Sequence, residues 1–375
     1  MGYSMMNEEW SFIRGLLPEN LAELAWEHGA MRRRRGAVGD AETLLRLILL
    51  HVGGGLSLEQ TVLRAREQGL ATLSAVALFK RLRRSGPWLE ALTAAVLREM
   101  PGPGLTSLGG GRQLRALDAT FIQEPGSTGT DWRLHYSLKL PELVCDFFEL
   151  TDARGGEDLR RLPTKKGDVV LADRGYSRRL GVAALLATGA DIVLRLLPSQ
   201  FPLHTLDGRR LDLAQTLGRT LGREGDRVEI DVRFEHEGRW HPLRLCATRK
   251  TEAACATARR RARYERERKG GVVREQTLEL AAYVCILTSL PASVASTTDV
   301  LDLYRCRWQI ELAFKRLKSL LDLGHLPKKD PPGSRAWMQA KILISLLTEK
   351  LILESELFSP WGHRLQRRKP LELLH

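Results

Sequence analysis

The sequence predicts a mixed α/β protein preceded by an all-helical amino-terminal domain. Three observations carry this. Residues 1–100 read as helix throughout. Between Gln113 and Leu197 the apolar pattern shifts to strand-length runs with helical segments between them. A second strand-rich stretch, 198–290, then intervenes before a long helix that begins near Thr297.

In the first hundred residues, Ser57, Leu58, Glu59 and Gln60 form a capping-box signature that opens a helix through about Glu67. Gly69 ends it, and a second helix runs from about Ser74 to Arg84. Two short helices around a glycine-containing turn are similar to a helix-turn-helix, and equally to a plain helical hairpin with a solvated basic face. Lys80, Arg81, Arg83 and Arg84 crowd the second helix. The run Arg32, Arg33, Arg34 and Arg35 reads as a phosphate clamp, or as a solvated loop.

Pro101–Gly111 is a Pro/Gly-rich boundary. Gln113–Gln123, Arg133–Leu140 and Val144–Thr151 read as an antiparallel meander. Glu157–Leu162 is a short helix candidate. Asp168–Ala172 is a buried strand ending at Asp173, followed by a helix over Arg178–Ala187 and another buried strand over Asp191–Leu197. Within 198–290, Arg227–Phe234 and His241–Arg249 alternate as strands, Thr251–Lys269 is a strongly basic helix and Leu278–Leu290 returns as a strand. Thr297 or Thr298, with Asp299, is expected to cap the helix that follows. The segments are therefore 1–100, 112–197, 198–290, 296–355 and a basic tail at 356–375.

With 58 basic and 45 acidic residues the formal net charge is +13, which favours a polyanion such as DNA or RNA as partner. The five scattered cysteines form no Cys-x-x-Cys pair, so neither a disulfide framework nor a structural zinc site follows. The amino terminus lacks a signal-peptide pattern, and Ile342–Leu353 is too short and too charged to span a bilayer. A cytoplasmic protein without a membrane partner is expected.

The chemistry concentrates in residues 304–318. Tyr304, Arg307, Glu311 and Lys318 fall within about 60° of one another on an ideal helix, beside an apolar stripe of Ile310, Phe314, Leu317 and Leu321. Asp118 interrupts an otherwise apolar strand, where aspartate is disfavoured. Asp173 follows a buried strand, where ligand sites of α/β sheets gather. Alone, each acid has an ordinary reading as bulge, turn or helix-surface residue. Together, Asp118, Asp173 and Glu311 suit a pair of Mg²⁺ or Mn²⁺ ions, roughly 3.5–4 Å apart, serving in-line displacement at phosphorus. Without metal, three such carboxylates repel one another.

The pattern Tyr304-x-x-Arg307-Trp308-x-x-Glu311-x-x-x-Lys315-x-x-Lys318 closely resembles that of bacterial insertion-sequence DDE transposases of family four, the group with a tyrosine–arginine–glutamate–lysine signature. Asp118, the Asp173-Arg-Gly-Tyr176 turn and the Trp132-Arg-Leu-His-Tyr136 stretch add to the resemblance, which covers residues 10–350. It implies a ribonuclease-H-like core interrupted by a β-rich insertion, with Asp118, Asp173 and Glu311 as catalytic metal ligands. It implies that Tyr304, Arg307 and Lys318 contact DNA phosphates, with Trp308 either stacking on a base or packing in the core and Arg174 either binding a phosphate or closing a strand end. Arg32–Arg35, Lys80, Arg83, Arg259 and Arg260 are the further candidate DNA contacts. The implied reaction is cut-and-paste transposition. One strand is nicked, the freed 3′-hydroxyl forms a hairpin that is reopened, and the 3′-ends join target DNA within a homodimer. A nuclease that does not join strands, and a DNA-binding protein without transposition activity, are the alternative readings.

Overall fold

The computed structural model describes residues 10–32, 38–99, 111–140, 144–268, 270–320, 326–327 and 329–357. The Arg33–Arg35 part of the arginine run and the tail after 357 lie outside these.

After a helical stretch at 10–15, five helices follow among the described residues: α1 (Leu21–Glu27), α2 (Ala41–Gly53), α3 (Leu58–Glu67), α4 (Ala75–Arg84) and α5 (Gly86–Glu99). The capping box forms as expected. The Ser57 hydroxyl accepts from the Gln60 amide, and the Gln60 side chain accepts from the Ser57 amide. Gly69, with φ +64°, turns the chain toward α4, which Ser74 caps. These helices gather around a later one, α12 (Pro331–Leu357), which packs on α2, α4, α5 and the sheet. The amino-terminal bundle thus shares one apolar core with one face of the sheet.

The strands are β1 (Gln113–Ile122), β2 (Trp132–Leu140), β3 (Val144–Asp152), β4 (Asp168–Ala172), β5 (Asp191–Arg195), β6 (Arg227–His236), β7 (Arg239–Arg249) and β8 (Tyr283–Thr288). They form one sheet in the order β3-β2-β1-β4-β5-β8-β7-β6. β1, β4 and β5 run parallel, and the remaining neighbours pair antiparallel. The strands read as an inserted segment therefore extend the sheet through β8. The stretch expected as a strand from Leu278 begins instead as a short helix, α9 (Glu275–Leu280). The basic helix is α8 (Glu252–Glu267), capped by Thr251; α6 (Arg179–Ala187) and α7 (Leu213–Thr220) cover the other sheet face.

Two buried arginines tie this sheet together. Arg115 on β1 donates to Asp168 at 3.0 Å and to the Pro163 carbonyl at 2.6 Å. Its Nε lies 2.7 Å from Asp146 but out of line with the N–H, so that contact is a charge pair rather than a hydrogen bond. Arg244 on β7 pairs with Glu229 on β6 at 2.6 Å and donates to the Leu290 and Ala295 carbonyls, fixing where the chain leaves the sheet.

The helix expected to begin at Thr297 or Thr298 is capped one residue earlier. Ser296 and Asp299 form a reciprocal capping box, because the Ser296 hydroxyl reaches the Asp299 amide while the Asp299 carboxylate returns to Ser296. Ser296→Ala is expected to cost about 1 kcal/mol in a urea titration; an unchanged midpoint would show that this cap contributes no stability. This helix is also not continuous. It divides into α10 (Thr297–Cys306) and α11 (Trp308–Leu320) at Arg307. There the Arg307 amide bonds to the Tyr304 carbonyl and the Ile310 amide to the Arg307 carbonyl, i to i+3 links that tighten one turn. Tyr304 thus belongs to one helix and Glu311 to the next, not to one uninterrupted face.

Candidate active site

The sheet register brings two acids side by side. Leu117 on β1 pairs with Ala172 on parallel β4, and the residues that follow are Asp118, within β1, and Asp173, just past the end of β4. Alternation along a strand puts Asp118 on the face of Leu114 and Ala116, and Asp173 on the face of Val169 and Leu171. All four apolar residues belong to the core that also holds Val300, Leu301, Ile310, Phe314 and Leu317 of α10 and α11. The acids therefore meet the helix pair that carries Tyr304, Arg307 and Glu311. The edge-on contact of Phe314 with Tyr136, 6.0 Å between centroids, helps set the height of α11 above the sheet.

Polar contacts close the arrangement. Arg307 donates to Asp118 Oδ2 at 3.0 Å and to Glu311 Oε1 at 2.6 Å. The Tyr304 hydroxyl donates to Asp173 Oδ1 at 3.0 Å. Asp118, Asp173 and Glu311 are thereby joined through two residues of the same motif, and carboxylate repulsion is met by a guanidinium between two of them and a phenol on the third. Burial pushes the Asp118 carboxyl up to about 6, reinforced by the charges of Asp173 and Glu157 and opposed by the Ala119 amide and Arg307. Burial and the Asp173 charge push the Tyr304 hydroxyl up to about 12, so it stays protonated as a donor and is a poor nucleophile near neutral pH.

The other candidate residues divide. Lys318 lies with its ammonium 4.7 Å from the Phe121 ring centre and lines, with Glu311, Phe314 and Lys315, a shallow depression beside the acids. Trp308 is 48% exposed, so it does not pack in the core. Arg174 faces a cavity of 1220 Å³ that also reaches Asp173, Arg307 and Glu311. The same cavity is lined by Arg195, Arg210, Lys250 and Arg274, cations that the motif reading misses because they are scattered over four segments. Burial depresses the Lys250 ammonium, and its neighbours Arg195 and Arg174 depress it further. On α8 it is Arg261 and Thr257 that face the cavity. Arg259 instead donates to the Leu278 carbonyl, bracing α9, and Arg260 points to solvent. Arg32 and Lys80 are exposed on the amino-terminal bundle. Arg83 is held by Asp330 at 3.1 Å. Sequence reasoning also misses Glu157, whose carboxylate lies against Gly175 in the turn after Asp173.

The donors suit a hard divalent cation. They are carboxylate oxygens, and the Arg307 guanidinium already spans Asp118 and Glu311 as a cationic stand-in. Among the described residues no three His, Cys, Asp or Glu side chains are gathered tightly enough to hold an ion in this state.

A mixed sheet that presents one acid within a strand and another at the end of its parallel neighbour to a cation-bearing helix pair is the setting of a DDE phosphoryl-transfer enzyme. The Transposase DDE domain family matches residues 150–347, and the chain belongs to that family. It is 38% identical over 368 residues to the putative transposase InsL for insertion sequence element IS186A of Escherichia coli (strain K12), covering 96% of this chain and 98% of that one. It is 38% identical over 369 residues to the transposase for insertion sequence element IS421 of Escherichia coli, with the same coverage. To the transposase for insertion sequence element IS231C of Bacillus thuringiensis subsp. berliner it is 25% identical over 358 residues, covering 83% of this chain and 72% of that one. It is an insertion-sequence DDE transposase. No described helix is long and apolar enough to cross a membrane.

Proposed function

We propose that this chain cuts out and reinserts an insertion sequence, as a family-four transposase with a ribonuclease-H-like core acting on double-stranded element ends. The observation that carries this reading is the linkage of Asp118, Asp173 and Glu311, 193 positions apart at the extremes, through Tyr304 and Arg307. In this reading the three acids hold two Mg²⁺ or Mn²⁺ ions, which when bound polarise the scissile phosphate and favour the deprotonated form of the attacking oxygen. The chain's own residues do the rest. Arg307 turns from Asp118 to grip a phosphate with two parallel bonds, and Tyr304 holds Asp173 in place until the substrate arrives. Lys318 adds a point charge along the backbone, and exposed Trp308 offers a face to an unstacked base. The 1–100 helices read the element end, residues 112–197 and 296–355 hold the acids, 198–290 supplies the basic cavity wall, and two protomers pair two ends. Nicking, hairpin formation and strand transfer then use one site in succession.

The test is a strand-transfer assay with labelled element-end duplexes, target plasmid and Mg²⁺. Joined products are expected, and Asp118→Asn gives none. Cleaved ends that never join would assign the chain to hydrolysis alone.

A further inference from the structure

We propose that Glu157 is a fourth carboxylate of this site, giving an oxygen ligand to the divalent ion held by Asp118 and Asp173. The inference deepens the metal-site reading above and rests on it. Glu157 lies in the connection between β3 and a single helical turn at Leu159–Arg161, where no regular element requires an acid. Its carboxylate is seated on the backbone of Gly175, two residues after Asp173. A Cβ placed on Gly175 would collide with Glu157 Oε2 and stand 2.9 Å from its Cδ. Gly175 does not have the left-handed backbone that singles out glycine elsewhere in the chain. Its lack of a side chain therefore serves the space that the Glu157 carboxylate fills.

That carboxylate makes no hydrogen bond or ion pair among the described residues. It stands within electrostatic reach of two like charges, Asp118 and Asp173, and of Arg133 and Arg178. A second group points the same way. The Tyr176 side chain is 1% exposed, its hydroxyl has no hydrogen-bond partner, and the anions nearest in influence are Asp118 and Glu157. A half-buried carboxylate without a hydrogen bond or ion pair, within electrostatic reach of two others and of a buried, orphaned hydroxyl, is an unfavourable arrangement unless a cation and its water shell complete it. Hard divalent ions take six or more oxygens, more than Asp118 and Asp173 provide. Glu311 is 60% exposed and engaged by Arg307, whereas the Glu157 carboxylate is held by no hydrogen bond or ion pair and needs only a side-chain rotation to join Asp118 and Asp173 around an ion.

The experiment is Mn²⁺ titration of the full-length, DNA-free, chelator-treated protein by calorimetry, with thermal melts as a folding control. Glu157→Gln is expected to weaken Mn²⁺ about tenfold or more with its melt in chelator close to wild type. Gly175→Ala removes no carboxylate but displaces one, and is expected to weaken Mn²⁺ similarly; it carries the test alone if Glu157→Gln does not fold. Wild-type affinity in both variants, with affinity lost in Asp118→Asn, would overturn the role of Glu157 and leave the metal site standing. No Mn²⁺ binding by the wild type would overturn both.

Discussion

Asp118→Asn is expected to slow strand cleavage by about three orders of magnitude or more while binding of element-end DNA persists. The substitution keeps the size of the side chain and one acceptor oxygen but removes the charge that, in the proposed mechanism, would hold the ion. Polarisation of the phosphate is worth several kcal/mol, and each 1.36 kcal/mol is tenfold in rate. Single-turnover nicking of a labelled end fragment, beside a gel-shift titration, separates the two quantities. Cleavage within tenfold of wild type would remove Asp118 from the catalytic set. The same variant reports on pH. In the metal-free fold the Asp118 carboxyl titrates near 6 against 3.8 for an unperturbed aspartate. The folded state thus holds this proton more tightly than the unfolded one. Stability contributed at this position is greatest below pH ~4 and declines, by up to about 3 kcal/mol, as pH rises to ~6. Urea titrations in chelator across that window should show the decline in the wild type and a flatter profile in Asp118→Asn. Magnesium competes with the proton, so its binding should tighten over the same interval.

What the sequence discloses here is what is local or strictly periodic. The capping box at Ser57 and Gln60 is four residues long, and the alternation around Asp118 needs only a ten-residue strand, so both are readable without a partner. Asp173 is visible because the four-residue apolar run Val169–Ala172 ends at it. Pairing between distant segments has no such local mark. Nothing in Arg227–Arg249 states that β6 and β7 will join β8 and enlarge the core sheet, since their alternation is the same in a separate hairpin. The break at Arg307 is hidden for a related reason. Helical periodicity runs through it undisturbed, and the tightened turn accompanies a guanidinium that meets Asp118, 189 positions away. Glu157 sits in a Gly-Gly-Glu-Asp stretch that reads as an ordinary turn. Its signal lies elsewhere, in a glycine at 175 whose backbone has no need of one.

Arg307→Ala is expected to destabilise the metal-free protein and to make its stability depend more steeply on divalent ions. The Arg307 side chain is 12% exposed and its partner Asp118 20%, whereas Glu311 is 60% exposed and adds little. Removing the cation leaves a half-buried carboxylate unpaired, at a cost of about 3 kcal/mol. For a chain of this size that lowers the melting temperature in chelator by about 4 °C. Arg307→Lys should recover part of the loss, because one ammonium can hold one carboxylate but cannot span two. Millimolar Mg²⁺ should then raise the melting temperature of Arg307→Ala more than that of the wild type, since in the wild type the ion must first displace the guanidinium. In the proposed mechanism that displacement would free the wild-type side chain for a phosphate, and linkage would then require the converse: DNA that draws Arg307 away from Asp118 would tighten the ion. Element-end DNA should therefore strengthen Mg²⁺ binding in the wild type and leave it unchanged in Arg307→Ala. Equal melting temperatures in chelator, or equal coupling between DNA and ion in the two proteins, would show that Arg307 does not pass between carboxylate and phosphate.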